Sequence, residues 1–144
     1  MTSPRRILVV LHDTELSGAP RVALRVARML RAAGREVEVA TPGEGPATAM
    51  AREEGFVVHP VAAPAGSAAA LPVIGCALAA AGRLAAIARL ALLLRRRRLV
   101  LCWAGSTMAY TAVLAAALAR LPSIAHIHEM LEPTLANRAR IAVL

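Results

Sequence analysis

The sequence predicts an α/β fold, a Rossmann-like parallel sheet with helices on both faces, from three observations. Short apolar runs (ILVVL, VEVA, FVVH, LVLCW and SIAHIH) alternate with longer Ala-, Arg- and Leu-rich stretches of helical spacing. Gly or Pro closes most of these stretches, and the early connections are short, as right-handed strand–helix–strand crossovers require. Aromatics are limited to Phe56, Trp103 and Tyr110. The core is therefore Leu, Val, Ile and Ala, the composition of closely packed helix-on-sheet layers. A chain of 144 residues is one domain, long enough to bury about two-thirds of its unfolded surface.

Strand one is expected over Ile7 to Leu11. HDTELSGAP follows as a short polar turn, with Pro20 at the first helical position, and the helix runs to Ala33. Val22, Val26, Met29, Leu30 and Ala33 form its apolar face, and Arg21, Arg25, Arg28 and Arg31 a separate, solvated stripe. Gly34 is a left-handed stop. Strand two is Val37 to Ala40, a short helix spans Pro46 to Glu54, and strand three is Phe56 to His59, stopped by Pro60. VAAPAGSAAALP, from Val61 to Pro72, is a low-complexity loop. One or two helical segments then reach Arg98. Strand four is Leu99 to Trp103, AGST leads into a helix from Met108 to Leu121, and strand five is Ser123 to His128. The ending, EMLEPTLANRARIAVL, begins another helix, with room for a sixth strand, and then stops with no cap or polar tail, as a truncated chain would.

Net charge is +8, and all seventeen basic residues are Arg. A codon bias towards Ala and Arg accounts for this more simply than a basic binding surface. Nucleic-acid binding is excluded for want of stacking aromatics or a recognisable module. Arg5 and Arg6 precede an apolar run too short for an export signal, so a cytoplasmic location is expected. Cys76 and Cys102 lie in apolar segments without metal spacing, as buried free thiols do.

Between Leu71 and Leu94 the sequence is apolar apart from Arg83 and Arg89, and Arg95, Arg96, Arg97 and Arg98 close it. A central arginine costs roughly 2.5–3.5 kcal/mol in a membrane span, so a helix packed on the sheet with snorkelling arginines is expected instead. Arg83, Arg89 and Arg95 step by about 120° and scatter round the helix. Any adsorption to an anionic membrane, at the inner face of the plasma membrane, would run through the cluster Arg95 to Arg98. His126 and His128 share a strand face, but a third metal ligand is lacking: His12, Glu129 and Glu132 do not complete a set. No metal or cofactor is expected, and His126 is read as a buried, hydrogen-bonded histidine. Neither a nucleophile elbow nor a P-loop spacing occurs.

Taken in order, HDTELSGAPRVALRVARMLRAAGREVEVATPGEG, GFVVHPV, LVLCWAGSTMAYTAVLAA and LPSIAHIHE resemble the N-terminal domain of retaining, GT-B-type family 4 glycosyltransferases. The resemblance covers residues 5 to about 135. It implies transfer of a sugar from a nucleotide-sugar donor to an acceptor such as a cell-envelope glycan, a lipid or a small molecule. By the same resemblance, Ser17, Gly18 and Ala19 lie near the donor diphosphate, His128 approaches the donor sugar as the catalytic residue, and Gly105, Ser106 and Thr107 face the acceptor. The family's C-terminal donor-binding domain has no counterpart here. Its acidic motif pairs two glutamates eight residues apart. Glu36 and Glu44 share that separation but belong to a strand and a loop, so the match is rejected. The chain alone is expected to be inactive. Three readings follow: part of a glycosyltransferase, one subunit of a split, membrane-associated one, or a non-catalytic Rossmann-like binding module.

Overall fold

The computed structural model describes residues 6–61, 72–106 and 109–127, with positions 138 and 142; for 72–79 it describes the backbone alone. The elements are β1 (Arg6–Val10), α1 (Gly18–Ala32), β2 (Glu36–Thr41), α2 (Pro46–Glu53), β3 (Val57–Pro60), α3 (Pro72–Arg96), β4 (Leu101–Ala104), α4 (Tyr110–Ala119) and β5 (Ser123–Ala125). All strand pairs are parallel, in the order β3-β2-β1-β4-β5. Strand β1 is central: Ile7 sits opposite both Val37 and Leu101. The predicted sheet class is the observed one.

Alternation along β1 divides the core into two. Val9 and Leu11 face α1 and α2, packing with Leu24, Ala27, Val39, Phe56 and Trp103. Leu8 and Val10 face α3 and α4, packing with Leu90, Leu94, Cys102 and Ala112. Leu8, Leu24 and Leu94 are fully buried, each contributing about 1.5–3 kcal/mol of transfer free energy. On α4 the buried positions are Ala112, Ala115 and Ala116, small enough for the helix to lie close to α3 and the sheet.

Helix ends account for most boundary differences. Gly34 and Gly55, both at φ +77°, end α1 and α2 in Schellman closures: Gly34 and Arg35 donate to Arg31 and Leu30, Gly55 and Phe56 to Arg52 and Ala51. The same closure ends α3 and α4 with arginine in the left-handed position, Arg98 at φ 53° and Arg120 at φ 58°. Leu99, expected to open strand four, donates to Leu94 and finishes the α3 closure instead. The stretch read as one or two helical segments is a single helix to Arg96.

Two further expectations change. Helix α1 starts at Gly18, so Pro20 is its third residue and is buried. The buried stripe is Pro20, Ala23, Leu24 and Ala27, not the one through Met29, which is 64% exposed. Val26 and Leu30 of the predicted face pack at the margin of this core, so weighting large side chains over alanine rotated the face only partly from the true contact. The arginine stripe is exposed yet occupied: Arg28 holds the Glu54 carboxylate with two hydrogen bonds, and Arg31 reaches the Glu54 carbonyl and covers the Phe56 ring at 4.1 Å. Strand β5 ends at Ala125, although His126 still donates to the Ala104 carbonyl. Residues 128–137, where the sequence suggests a further helix, lie outside the described residues.

Candidate functional site

In a parallel doubly wound sheet, the carboxyl ends of the strands collect the loops that bind ligands. Here that edge is built by cross-loop hydrogen bonds. After β1, Asp13 Oδ1 accepts the N–H groups of Thr14 (2.7 Å) and Glu15 (3.3 Å), fixing the turn. The Thr14 carbonyl accepts the Ala47 N–H at 2.8 Å, tying this turn to the start of α2. Gly45 permits that approach, because a Cβ there would stand 2.6 Å from Thr14 Cβ and 2.9 Å from its carbonyl oxygen. After β2, Thr41 and Thr48 both donate to the Gly43 carbonyl, and Val61 donates to Thr41 O at 2.7 Å.

On the α3–α4 side of this edge lies an open cleft of about 450 Å³, its solvent included. Leu11, Pro42, Val61 and Leu90 are among its apolar walls, and Ala86 and Ala109 bring α3 and the start of α4 to it. Polar groups come from His12, Thr41 and Thr111. His12 is the one ionisable side chain among the lining residues. An apolar body with a hydroxyl turned towards an imidazole suits such a cleft. Imidazole can donate or accept a proton there.

The residues singled out in the sequence spread over both layers of this edge. Ser17 and Gly18 are exposed and Ala19 half-buried, on the α1 layer. Ser17 is the N-cap of α1 and makes no side-chain cap bond, and no acidic residue sits in the first turn. A Cβ on Gly18 would meet nothing within 4 Å, so glycine there leaves open space. Gly105 and Ser106, expected to face an acceptor, are buried. A Cβ on Gly105 would stand 2.7 Å from the Trp103 ring and 3.3 Å from Ala23, so this glycine lets β4 pack against α1. The cleft residues supplied by this part of the chain are Ala109 and Thr111. Thr107 and His128 lie outside the described residues. His126 is exposed rather than buried, its ring 5.5 Å from that of Trp103. His12, the polar residue that ends the first apolar run, is the signal by which the cleft could have been found.

Away from that edge, in the middle of β2, Glu38 is buried and charged. Arg97 reaches its carboxylate at 2.9 Å and His59 Nε2 lies 2.6 Å from it. Burial pushes the Glu38 carboxyl up, but the Arg97 and His59 hydrogen bonds and charges outweigh it and hold the group below the usual carboxylate range. The run Arg95 to Arg98 is accordingly not four parallel charges. Arg97 turns to Glu38, Arg95 donates to the Leu118 carbonyl at 2.6 Å, and Arg98 closes α3. Glu36 and Glu44 are in exposed ion pairs with Arg6 and Arg52.

Among the described residues, no three His, Cys, Asp or Glu side chains converge as metal ligands would. Burial pushes the Cys102 thiol up to about 12, which removes it as a nucleophile at neutral pH. No helix among the described residues is long and apolar enough to cross a membrane.

Solved glycosyltransferases share this fold. Acinetobacter baumannii MurG superposes with a TM-score of 0.74 at 17% identity, over 97% of this chain and 40% of that one. Anabaena HepE in complex with UDP-glucose gives 0.72 at 17% identity, over 96% and 34%. SnogD from Streptomyces nogalater gives 0.61 at 24% identity, over 87% and 33%. The chain thus spans 33–40% of the length of these enzymes. A comparison with curated proteins gave no match. The family described as "Glycosyl transferase 4-like domain" matches residues 17–144, from the cap of α1 onwards, and the chain belongs to that family, with the Rossmann-like architecture of GT-B glycosyltransferases.

Proposed function

We propose that this chain is the acceptor-side domain of a glycosyltransferase that moves a sugar from a nucleotide-sugar donor to a hydroxyl-bearing acceptor. The observation that carries the reading is the cleft at the carboxyl edge of a glycosyltransferase 4-like sheet, apolar but for His12, Thr41 and Thr111. The acceptor body occupies the cleft, and its hydroxyl faces the donor sugar across the sheet edge. The first turn of α1 faces the donor diphosphate. Helix N–H groups that no side chain caps favour an anion, and Ser17, Gly18 and Ala19 leave the approach open. His128 approaches the donor sugar, where a neutral imidazole tolerates oxocarbenium-like charge. Gly105, Ser106 and Thr107, in the sequence that follows β4, belong to the acceptor side in this reading, Gly105 and Ser106 as buried support for it. No metal or cofactor takes part.

The main nucleotide contacts come from a donor-binding domain, in the same polypeptide or in a separate chain. The lengths of MurG and HepE, against which this chain spans 40% and 34%, favour that division. HepE, solved with UDP-glucose, supports the class of donor. The test is a transfer assay on this domain joined to the donor-binding domain encoded in frame or beside it, read as release of nucleoside diphosphate that depends on acceptor. His128→Ala lowers turnover by about 10²-fold with an unchanged melting curve. Unchanged turnover in that variant removes His128 from the mechanism.

A further inference from the structure

We propose that Glu38, His59 and Arg97 are positioning residues for the acceptor, because they fix where helix α3 stands as the wall of the cleft. Helix α3 meets the sheet along one stripe. At about 100° per residue, Ala86, Leu90, Leu94 and Arg97 fall within an arc of about 80°. Ala86 and Leu90 line the cleft, and Leu94 is fully buried behind them. Arg97 stands about 10 Å beyond Leu90 along the helix axis. Its N–H donates to the Leu93 carbonyl at 2.9 Å, so its backbone belongs to the last turn of the helix.

The sheet carries a matching row. Glu38 and Ala40, two apart on β2, share the face towards α3, about 7 Å from each other. Ala40 lines the cleft, and His59 is its register partner on β3. The charged cluster therefore begins where the cleft floor ends. Arg97 Nη2 donates to Glu38 Oε1 at 2.9 Å, Arg97 Nε lies 3.2 Å from both carboxylate oxygens, and His59 Nε2 lies 2.6 Å from Oε2. From β1, Arg6 Nη1 donates to the Arg97 carbonyl at 3.5 Å, and Arg6 Nε pairs with Glu36. Three strands and the end of α3 thus meet at one point. Between this point and the cleft the contact is apolar, Leu90 and Leu94 packing with Leu8, Val10 and Ala40. Hydrophobic contact is non-directional, and alone it leaves the helix free to slide over Ala40. A forked arginine–carboxylate contact fixes both distance and angle. Sliding α3 by one residue rise, about 1.5 Å, breaks the fork and leaves a buried carboxylate short of its partner. The consequence for the acceptor rests on the proposed function, whereas the seat of α3 follows from the fold alone.

Two measurements keep those apart. In the full chain carrying Cys76→Ser, nitroxides at Ala88→Cys on α3 and Arg25→Cys on α1 report the seat of the helix by double electron–electron resonance; Cys102 is buried and stays unlabelled. Arg97→Ala shifts or broadens the distance distribution by about 1.5 Å or more. Arg97→Lys keeps the charge without the fork and gives a smaller change in the same direction. Arg96→Ala removes the neighbouring exposed arginine and leaves the distribution as it was. In the enzyme completed by its donor-binding domain, Arg97→Ala raises acceptor KM by about fivefold or more while kcat changes by less than about twofold. Arg96→Ala moves neither. Circular dichroism places every measurement below the onset of melting, and Arg97→Lys carries the test if Arg97→Ala fails to fold. An unchanged distribution in the Arg97 variants, an equal change in Arg96→Ala, or a fall in kcat at constant acceptor KM would overturn the proposal. If Thr111→Trp, which fills the cleft, also leaves acceptor KM unchanged, the acceptor reading fails by itself and the distances alone decide the seat of α3.

Discussion

Replacing Glu38 by glutamine keeps the shape of the side chain and removes the charge that Arg97 and His59 surround. The variant loses about 1–3 kcal/mol at neutral pH, the range for a buried charged hydrogen-bonding group deprived of its match, measurable by urea denaturation. The pH dependence follows from the depressed Glu38 carboxyl. A group with a lowered folded value contributes stability above its unfolded value, about 4.3 for glutamate, and loses it as pH falls through the folded value. The gap between wild type and Glu38→Gln is therefore widest near neutrality and narrows below about pH 4. Arg120 illustrates the opposite case, a residue whose own conformation costs energy. Its φ of 58° is left-handed, and Arg120→Gly raises stability by about 0.5–1 kcal/mol in the same denaturation series. Neither residue was legible in the sequence. Glu38 sits in VEVA as the polar half of an ordinary alternation, and its partners come from residues 59 and 97, which only the folded sheet brings to it.

At the scale of elements, the β4–α1 contact rests on the missing side chain of Gly105. Gly105→Ala drives a methyl into the Trp103 ring and towards Ala23, and overpacking of this kind costs about 1–3 kcal/mol. A thermal melt unchanged by that substitution would show that β4 and α1 have room to spare. The elements themselves were the part most legible in sequence. Apolar runs between Gly and Pro gave five strands and the helices between them, because a buried parallel strand has little choice but to be Val-, Ile- and Leu-rich. Errors fell where backbone geometry overrides composition. Leu99 looks like strand but closes a helix, and Ala23 and Ala27, too small to weigh in a periodicity, are the true contact face of α1. The cleft was hidden for a related reason. Its lining comes from the ends of strands and from α3 and α4, far apart in sequence, and only His12 stood out locally.

For the whole molecule, the sheet separates two kinds of work. Glu38, in the middle of β2, is held by Arg97 and His59, and the carboxyl end holds the loops, the cleft and the first turn of α1. The proposed function puts the chemistry at the carboxyl end, where the loops of a parallel sheet collect. The most direct measurement uses the domain completed by its donor-binding partner and substitutes Thr111→Trp, which fills the cleft from the first turn of α4. Acceptor KM rises by about tenfold or more, the loss expected when contacts worth about 1.4 kcal/mol are displaced, while acceptor-independent hydrolysis of the donor stays constant. An unchanged acceptor KM in a folded Thr111→Trp enzyme would contradict the account and move the acceptor site elsewhere on the sheet.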